Sequence, residues 1–132
     1  VRTLAGVTSA GRPVFLKIPY NGPAALEELV AYDPNLIVGI LGGGSGTTLD
    51  AFQLIHDAQK HGARVALFGR KINHSEHPLA FIEFLRRIVD GEVEPVEAVK
   101  AYHAVLEKRG VKPQRRLPQD LQLTATSRSY RR

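Results

Sequence analysis

The chain has 132 residues, of which 43% are apolar and 23% are charged. This composition suits a globular domain with a hydrophobic core, and the length suits one such domain rather than two. It has no cysteine and no run of 18 apolar residues, so the sequence predicts neither a disulfide framework nor a membrane span. No signal-like segment opens the chain, and we therefore expect a cytoplasmic protein.

The net charge of +5 comes from one end of the chain. Residues 108–132 hold eight basic residues against one acidic residue, Asp120, which gives a net charge of +7. Residues 1–107 hold ten basic and twelve acidic residues, which gives −2. A basic tail whose only aromatic residue is Tyr130 is typical of a solvated segment, so we expect no nucleic-acid binding.

Three strand–loop–helix units follow one another after a short opening segment at residues 1–12. Apolar runs bounded by glycine and proline predict the strands, and apolar residues at helical spacing predict the helices. The predicted strands are residues 13–18, 36–41 and 63–68, and the predicted helices are about 23–32, 49–61, 78–89 and 95–109. Residues 71–77 are predicted to form a polar loop. We assign residues 1–110 to the domain and residues 111–132 to a mobile basic tail.

Repeated units of this kind require parallel strands, so the sequence predicts an α/β fold, either a doubly wound sheet or part of a (β/α)8 barrel. We favour the barrel, because Lys17 lies inside an apolar strand and would point into the interior. Both glycine turns also follow strand ends, where barrels carry their chemistry. Three strands are too few for either fold. We therefore interpret the chain as the last three units of a barrel with an extra helix. Its expected partner is either a second copy of the chain, in a homo-oligomer, or the missing half of the barrel.

The strand at residues 36–41 leads into the glycine-rich turn Gly42–Gly46. Thr47 is predicted to cap the following helix, with Asp50 as its capping-box partner. Free N–H groups at such a helix start favour phosphate or carboxylate, although a tight turn without a ligand explains the glycines as well. The turn is not a nucleotide-binding P-loop, since no lysine follows its last glycine.

The segments Phe15–Tyr20, Ile40–Gly44 and Ala66–Arg70 resemble, in order and spacing, the last three strands of one aldolase family. The family is that of class I aldolases of the archaeal fructose-bisphosphate type and their deoxyribose-phosphate relatives, and the resemblance covers residues 13–90. It implies that Lys17 is the catalytic nucleophile, which forms a Schiff base with the substrate carbonyl. It implies that the substrate phosphate is held by Gly42, Gly43, Gly44, Gly69 and Arg70. No cofactor and no metal are implied.

The chain departs from the family at two points. Gly42 stands where the family has a serine, and the family's acidic residue and tyrosine on earlier strands have no counterpart here. Two hypotheses follow. The chain is part of a lyase that makes or breaks a carbon–carbon bond in a phosphorylated sugar or keto compound, or it is a non-catalytic phosphate-binding or assembly module derived from such a barrel.

The residues themselves leave the role of Lys17 open. An amine attacks a carbonyl only when it is neutral, and burial among apolar neighbours favours the neutral form. A lysine near a strand end can instead extend its ammonium group to solvent. Arg70 likewise fits either a phosphate site or an ordinary surface position.

The histidines give weaker signals. His74 and His77 with Glu76 between them could bind a metal, but a loop that leads into a helix at Pro78 explains them equally well, and we predict no metal site. His56, His61 and His103 are predicted to face solvent from helices.

Overall fold

The structure, a computed structural model, describes residues 1–11, 14–43 and 46–124. Over these residues the chain forms three strands, β1 (Val14–Ile18), β2 (Leu36–Leu41) and β3 (Val65–Leu67). It also forms six α-helices, α1 (Pro23–Tyr32), α2 (Thr48–Lys60), α3 (Gly69–Asn73), α4 (Pro78–Val89), α5 (Pro95–Lys108) and α6 (Leu117–Asp120). Two short 3-10 turns at Arg2–Leu4 and Ser9–Gly11 precede β1.

The strands form one parallel sheet in the order β1-β2-β3. Lys17 of β1 is in register with Gly39 of β2, which is in register with Val65 of β3. The predicted α/β class is confirmed. The strand β2 coincides with its predicted range, and β3 is shorter than predicted, although the Arg64 N–H still donates to the Val38 carbonyl (2.9 Å).

Helices cover one face of the sheet. Leu36, Val38 and Ile40 of β2 are buried on that face with Leu26 and Leu29 of α1, in a group of side chains that we call the sheet cluster. It also contains Leu4, Tyr20 and Ala58. The buried leucines of α1 thus cover the central strand.

The opposite face of the sheet is open in the part of the chain that the structure describes. Phe15 and Val65 are exposed there, at 50% and 36%. Gly39 lies between them, and a side chain at this position would collide with the Phe15 ring, whose Cζ atom would lie 2.8 Å from its Cβ. The lack of a side chain at residue 39 therefore lets Phe15 lie across the open face.

The second hydrophobic group joins α2, α4 and α5, and we call it the helical cluster. At its centre the Phe52 and Phe81 rings lie 5.1 Å apart, and Tyr102 meets the Phe81 ring edge-on at 5.6 Å. Tilted and edge-on ring pairs of this kind stabilise a core beyond the area they bury. Phe68, which follows β3, is also buried in this cluster, so the sheet edge and the helices are packed together.

The predicted helix starts are confirmed. Gly22 precedes α1 with a positive φ of 97°, and Pro23 occupies its first turn, where a missing N–H costs no hydrogen bond. Thr47 and Asp50 form the predicted capping box of α2. The helix α4 spans Pro78–Val89, as predicted from its apolar stripe.

Residues 111–124 are packed against the domain, whereas the sequence predicts a mobile tail from residue 111. Val111, Leu117, Leu121 and Leu123 pack on the helical cluster, and Asp120 is only 1% exposed. The apolar contacts and the hydrogen bonds of the buried carboxylate explain the order. The prediction for residues 125–132 lies outside the described residues.

The predicted polar loop at residues 71–77 is wrong in its first part, where α3 extends to Asn73. Its Ile72 packs against the helical cluster, which gives the short helix an apolar anchor. No helix within the described ranges is long and apolar enough to cross a membrane.

Candidate functional site

A cleft of about 1020 Å³ opens where the three strands end. Lys17 lies near the end of β1, Gly42 and Gly43 follow β2, and Gly69 and Arg70 follow β3, and all five line this cleft. Gly44, the sixth residue of the predicted site, lies outside the described residues. The cleft also runs along α2 as far as His61. Parallel strands end at one edge of a sheet, which is why residues distant in sequence meet here.

Lys17 is exposed, on the same open face of the sheet as Phe15. The expected apolar interior around it is not supplied by the described residues, because none of their helices covers this face. Its amine makes no hydrogen bond or ion pair with another described residue. Lys17 is therefore accessible to a ligand that enters the cleft.

Gly42 is held by its neighbours on β3. Its N–H donates to the Leu67 carbonyl at 3.3 Å. This amide is therefore not free to bind an anion, whereas the sequence predicts that it helps to hold the phosphate. The Phe68 ring occupies the space of a side chain at residue 42, since a Cβ there would lie 1.8 Å from the ring. Gly43 follows with a φ of 62° and is exposed at the cleft. The hydroxyl group that the resembling family has at residue 42 has no room here.

The start of α2 is occupied by groups of the protein. The sequence predicts free N–H groups at this helix start, but the Thr48 N–H donates to Asp120 Oδ1 at 2.8 Å. The Thr47 N–H donates to Asp50 Oδ2 at 2.9 Å, and the Asp50 N–H donates to Thr47 Oγ1 at 3.1 Å. A carboxylate at a helix N-terminus is favoured by the same partial positive charge that attracts phosphate. Asp120 thus takes the place that the sequence assigns to an external anion.

Arg70 lies in the first turn of α3 and is exposed at the cleft. No acidic side chain among the described residues pairs with it. Its guanidinium group can therefore give an incoming phosphate a charge-assisted, two-point contact. Gly69, next to it, has no atom within 4 Å of the position of a Cβ, so this side of the cleft is open.

Lys71 points in a different direction from Arg70. It is 9% exposed, and its Nζ donates to the Gly46 carbonyl at 2.7 Å. Burial lowers the pKa of Lys71, and the nearby Arg115 lowers it further, while Asp120 and Asp50 oppose this. Lys71 is therefore a structural contact of Gly46, at the end of the glycine turn, and not a free cation in the cleft.

Sequence reasoning missed Asp120, His103 and Lys71. His103 is predicted to face solvent, but its side chain is 10% exposed and its Nε2 lies 2.8 Å from Asp120 Oδ2. The only signal was Asp120 itself, the single acidic residue in a basic segment. Its partners lie 72 and 17 residues away in sequence.

The segment His74–His77 has structural contacts. His77 Nδ1 accepts from the Ala80 N–H and so caps α4, while the His74 carbonyl accepts from Gln114 Nε2. Glu76 accepts from the Tyr102 hydroxyl at 3.0 Å and from the Gln114 N–H at 2.9 Å. No group of three or more His, Cys, Asp or Glu side chains in the described part of the chain could hold a metal ion.

Comparisons with protein-family models, with curated proteins and with solved structures find no match for this chain. The geometry of the cleft is therefore the basis for the functional argument.

Proposed function

We propose that the chain carries the carbonyl-binding and phosphate-binding part of a Schiff-base aldolase, a lyase that acts on a phosphorylated sugar or keto compound. One observation carries the proposal: the Lys17 amine and the Arg70 guanidinium line the same cleft at the ends of parallel strands. Neither has a charged partner among the described residues. The proposed chemistry needs an amine that can reach the substrate carbonyl and a cation that can hold the phosphate, and one cleft contains both.

In the proposed reaction the phosphate binds at Gly43 and Arg70 and brings the substrate carbonyl to Lys17. The neutral amine attacks the carbonyl carbon and forms a carbinolamine, which loses water to give an imine. The protonated imine withdraws electrons from the bond between its α and β carbons. As the hydroxyl group on the β carbon gives its proton to water, this bond breaks, the β carbon leaves as an aldehyde, and the electron pair is held as an enamine. Holding the carbonyl by its phosphate supplies the positioning that a free lysine in solution lacks.

The proposal extends to the fold. The open face of the sheet, with Phe15, Lys17 and Val65, suits the inner surface of a (β/α)8 barrel, where side chains from parallel strands meet in layers. The helices on the other face correspond to the outer ring of such a barrel. The α/β class and the parallel order of the strands support this partial-barrel proposal.

The alternative is a module that binds a phosphorylated ligand without chemistry. The exposure of Lys17 favours it, because surrounding apolar groups would promote attack by the amine and the described residues supply few of them. Both hypotheses require the phosphate site, and only the lyase requires Lys17 to react.

The test has two arms. In the first, the protein is treated with borohydride in the presence of dihydroxyacetone phosphate, which fixes an imine as a stable amine that peptide mass spectrometry can locate. We expect an adduct on Lys17, none in Lys17→Arg because a guanidinium does not attack, and an unchanged adduct in the control Lys60→Arg. An adduct spread over several surface lysines would contradict the lyase proposal.

In the second arm, calorimetry measures the binding of inorganic phosphate. Arg70→Ala should weaken binding by about 1.5–3 kcal/mol, the worth of a hydrogen bond to a charged group. The control Arg64→Ala removes an exposed arginine just before β3, at the end of that strand remote from Arg70, and should leave the affinity unchanged. Phosphate binding that requires Arg70, without an adduct on Lys17, would favour the binding module.

A further inference from the structure

The glycine turn between β2 and α2 is described at Gly42, Gly43 and Gly46, and residues distant in sequence anchor both of its described ends. On its upstream side, the Gly42 N–H donates to the Leu67 carbonyl. On its downstream side, Lys71 Nζ donates to the Gly46 carbonyl, and the Thr48 N–H donates to Asp120 Oδ1. A loop that binds an anion through its backbone needs such anchors, because the direction of each N–H is set by the backbone around it.

The C-terminal segment supplies most of the downstream anchor, and we call residues 117–124 the strap. Besides the Asp120 contact, the Gln122 carbonyl accepts from Thr47 Oγ1 at 2.8 Å, and the Thr124 N–H donates to Asp50 Oδ1 at 3.0 Å. Thr124 itself lines the cleft. The strap therefore links the start of α2 to the wall of the proposed phosphate site.

Asp120 is the centre of the strap. It is 1% exposed, and its two carboxylate oxygens have separate partners, with Oδ1 on the Thr48 N–H and Oδ2 on His103 Nε2. His103 belongs to α5, which packs closely on α2. A buried carboxylate held from both sides has a fixed position, and it fixes the N–H to which it is bonded.

We propose that Asp120 is a positioning residue for the phosphate-binding glycine turn. It holds the first N–H of α2 from within the protein, so that Gly46 and the start of α2 are fixed before a ligand arrives, and the ligand phosphate binds upstream of them, at Gly43 and Arg70. This inference rests on the anion-binding part of the proposed function, and it assigns a role in binding to a segment that contacts the cleft only at Thr124.

Two variants remove the Asp120–Thr48 contact from opposite sides. Asp120→Ala removes the acceptor. Thr48→Pro removes the donor and keeps the helix, because proline is favoured at the first helical position and Thr47 already has the extended backbone that precedes a proline (φ −81°, ψ 170°). Asp120→Asn is the conservative variant, since its amide oxygen still accepts from Thr48 and its NH₂ can donate to His103. Gln119→Ala, at an exposed position of the same short helix, is the control.

The first readout is the Kd for inorganic phosphate, measured by calorimetric titration. We expect the Kd to rise about tenfold in Asp120→Ala and in Thr48→Pro, the order of loss that follows when a group that orients a binding site is removed. Asp120→Asn should stay within about twofold of the unmodified protein, and Gln119→Ala should not change. A lowered melting temperature with an unchanged Kd in both disruptive variants would overturn the inference and leave the proposed function in place.

Amide hydrogen exchange of the unliganded proteins is the second readout, and it does not depend on a ligand. We expect faster exchange in Thr48→Pro over the glycine turn and the first turn of α2, with the helical cluster unchanged. If the unmodified protein binds no phosphate, the anion site of the proposed function fails and the positioning role fails with it, whereas phosphate binding with an unchanged Kd in both disruptive variants overturns the positioning role alone. Equal exchange in Thr48→Pro and Gln119→Ala would overturn it. Should Asp120→Ala not fold, Thr48→Pro carries both readouts.

Discussion

The Phe68 ring decides which residue can stand at position 42. It fills the volume of a side chain there, with a Cβ at 1.8 Å from the ring, whereas nothing lies within 4 Å of a Cβ at Gly69. The two glycines line the same cleft but differ in their surroundings. The serine that the resembling aldolases have at the position of Gly42 therefore requires a different residue or position for Phe68.

Gly42→Ala should consequently lower the free energy of unfolding by about 1–3 kcal/mol, the usual cost of forcing an extra group into a packed site. The matched variant Gly69→Ala should change it by less than about 0.5 kcal/mol, since its methyl group meets open space. Urea denaturation of both variants measures the difference. Equal stabilities would show that Phe68 moves aside at little cost.

Among the elements, α5 is joined to the segment before α4 by one buried hydroxyl group. Tyr102 has no exposed surface, its hydroxyl donates to Glu76, and it accepts from the His77 N–H at 3.2 Å. Burial raises the pKa of Tyr102 above its ordinary value of 10.0. The phenol therefore stays protonated in the folded protein at a pH where it ionises in the unfolded chain.

The sign of the pH effect follows. The contribution of the buried Tyr102 hydroxyl to the free energy of unfolding is complete below about pH 10 and is lost as the pH rises further. The reason is that the unfolded chain then releases the phenol proton while the folded protein keeps it. Tyr102→Phe should be less stable at pH 7 by about 1–3 kcal/mol, since it leaves buried partners unpaired, but the gap should narrow above pH 10. Urea denaturation between pH 7 and 11 tests this. Parallel pH profiles of the two proteins would contradict the raised pKa.

The helices were predictable where their signals are local. Pro23, the Thr47 capping box and the apolar stripe of α4 each fix an element within a few residues of sequence. The strap and the covered start of α2 were not predictable, because Asp120 and Thr48 are 72 residues apart and neither carries a local signal for the contact. The candidate site followed the same division: glycine turns after strands predicted its place, but which N–H groups are free depends on distant partners.

At the scale of the whole molecule, one face of the sheet is left uncovered by the described residues. The exposed rings and aliphatic side chains include Phe15 at 50% and Val65 at 36%, and apolar surface of this kind favours association. We expect the protein to self-associate at low micromolar concentration through this face. Sedimentation velocity of Phe15→Ser should show more monomer than the unmodified protein.

The matched variant for that measurement is Leu79→Ser, which removes a more exposed apolar residue (76%) from α4, away from the open face. It should leave the distribution of species unchanged. A compact monomer in the unmodified protein, or an equal effect of both substitutions, would mean that the open face does not drive association.

The two hydrophobic clusters have a consequence for how a ligand would act on the protein. The sheet cluster joins the sheet to α1, the helical cluster joins Phe68 to α2, α4 and α5, and half-buried Leu54 of α2 contacts both clusters. Lys17 lies on β1, which packs on the sheet cluster, and Arg70 lies on α3, which packs on the helical cluster. The cleft therefore spans the boundary between the two clusters. A molecule bound by both Lys17 and Arg70 would add its binding free energy to the stability of the protein only while the two clusters stay packed together. Ligand occupancy would thereby make the unfolding of the two clusters more cooperative, because the bound molecule would link them.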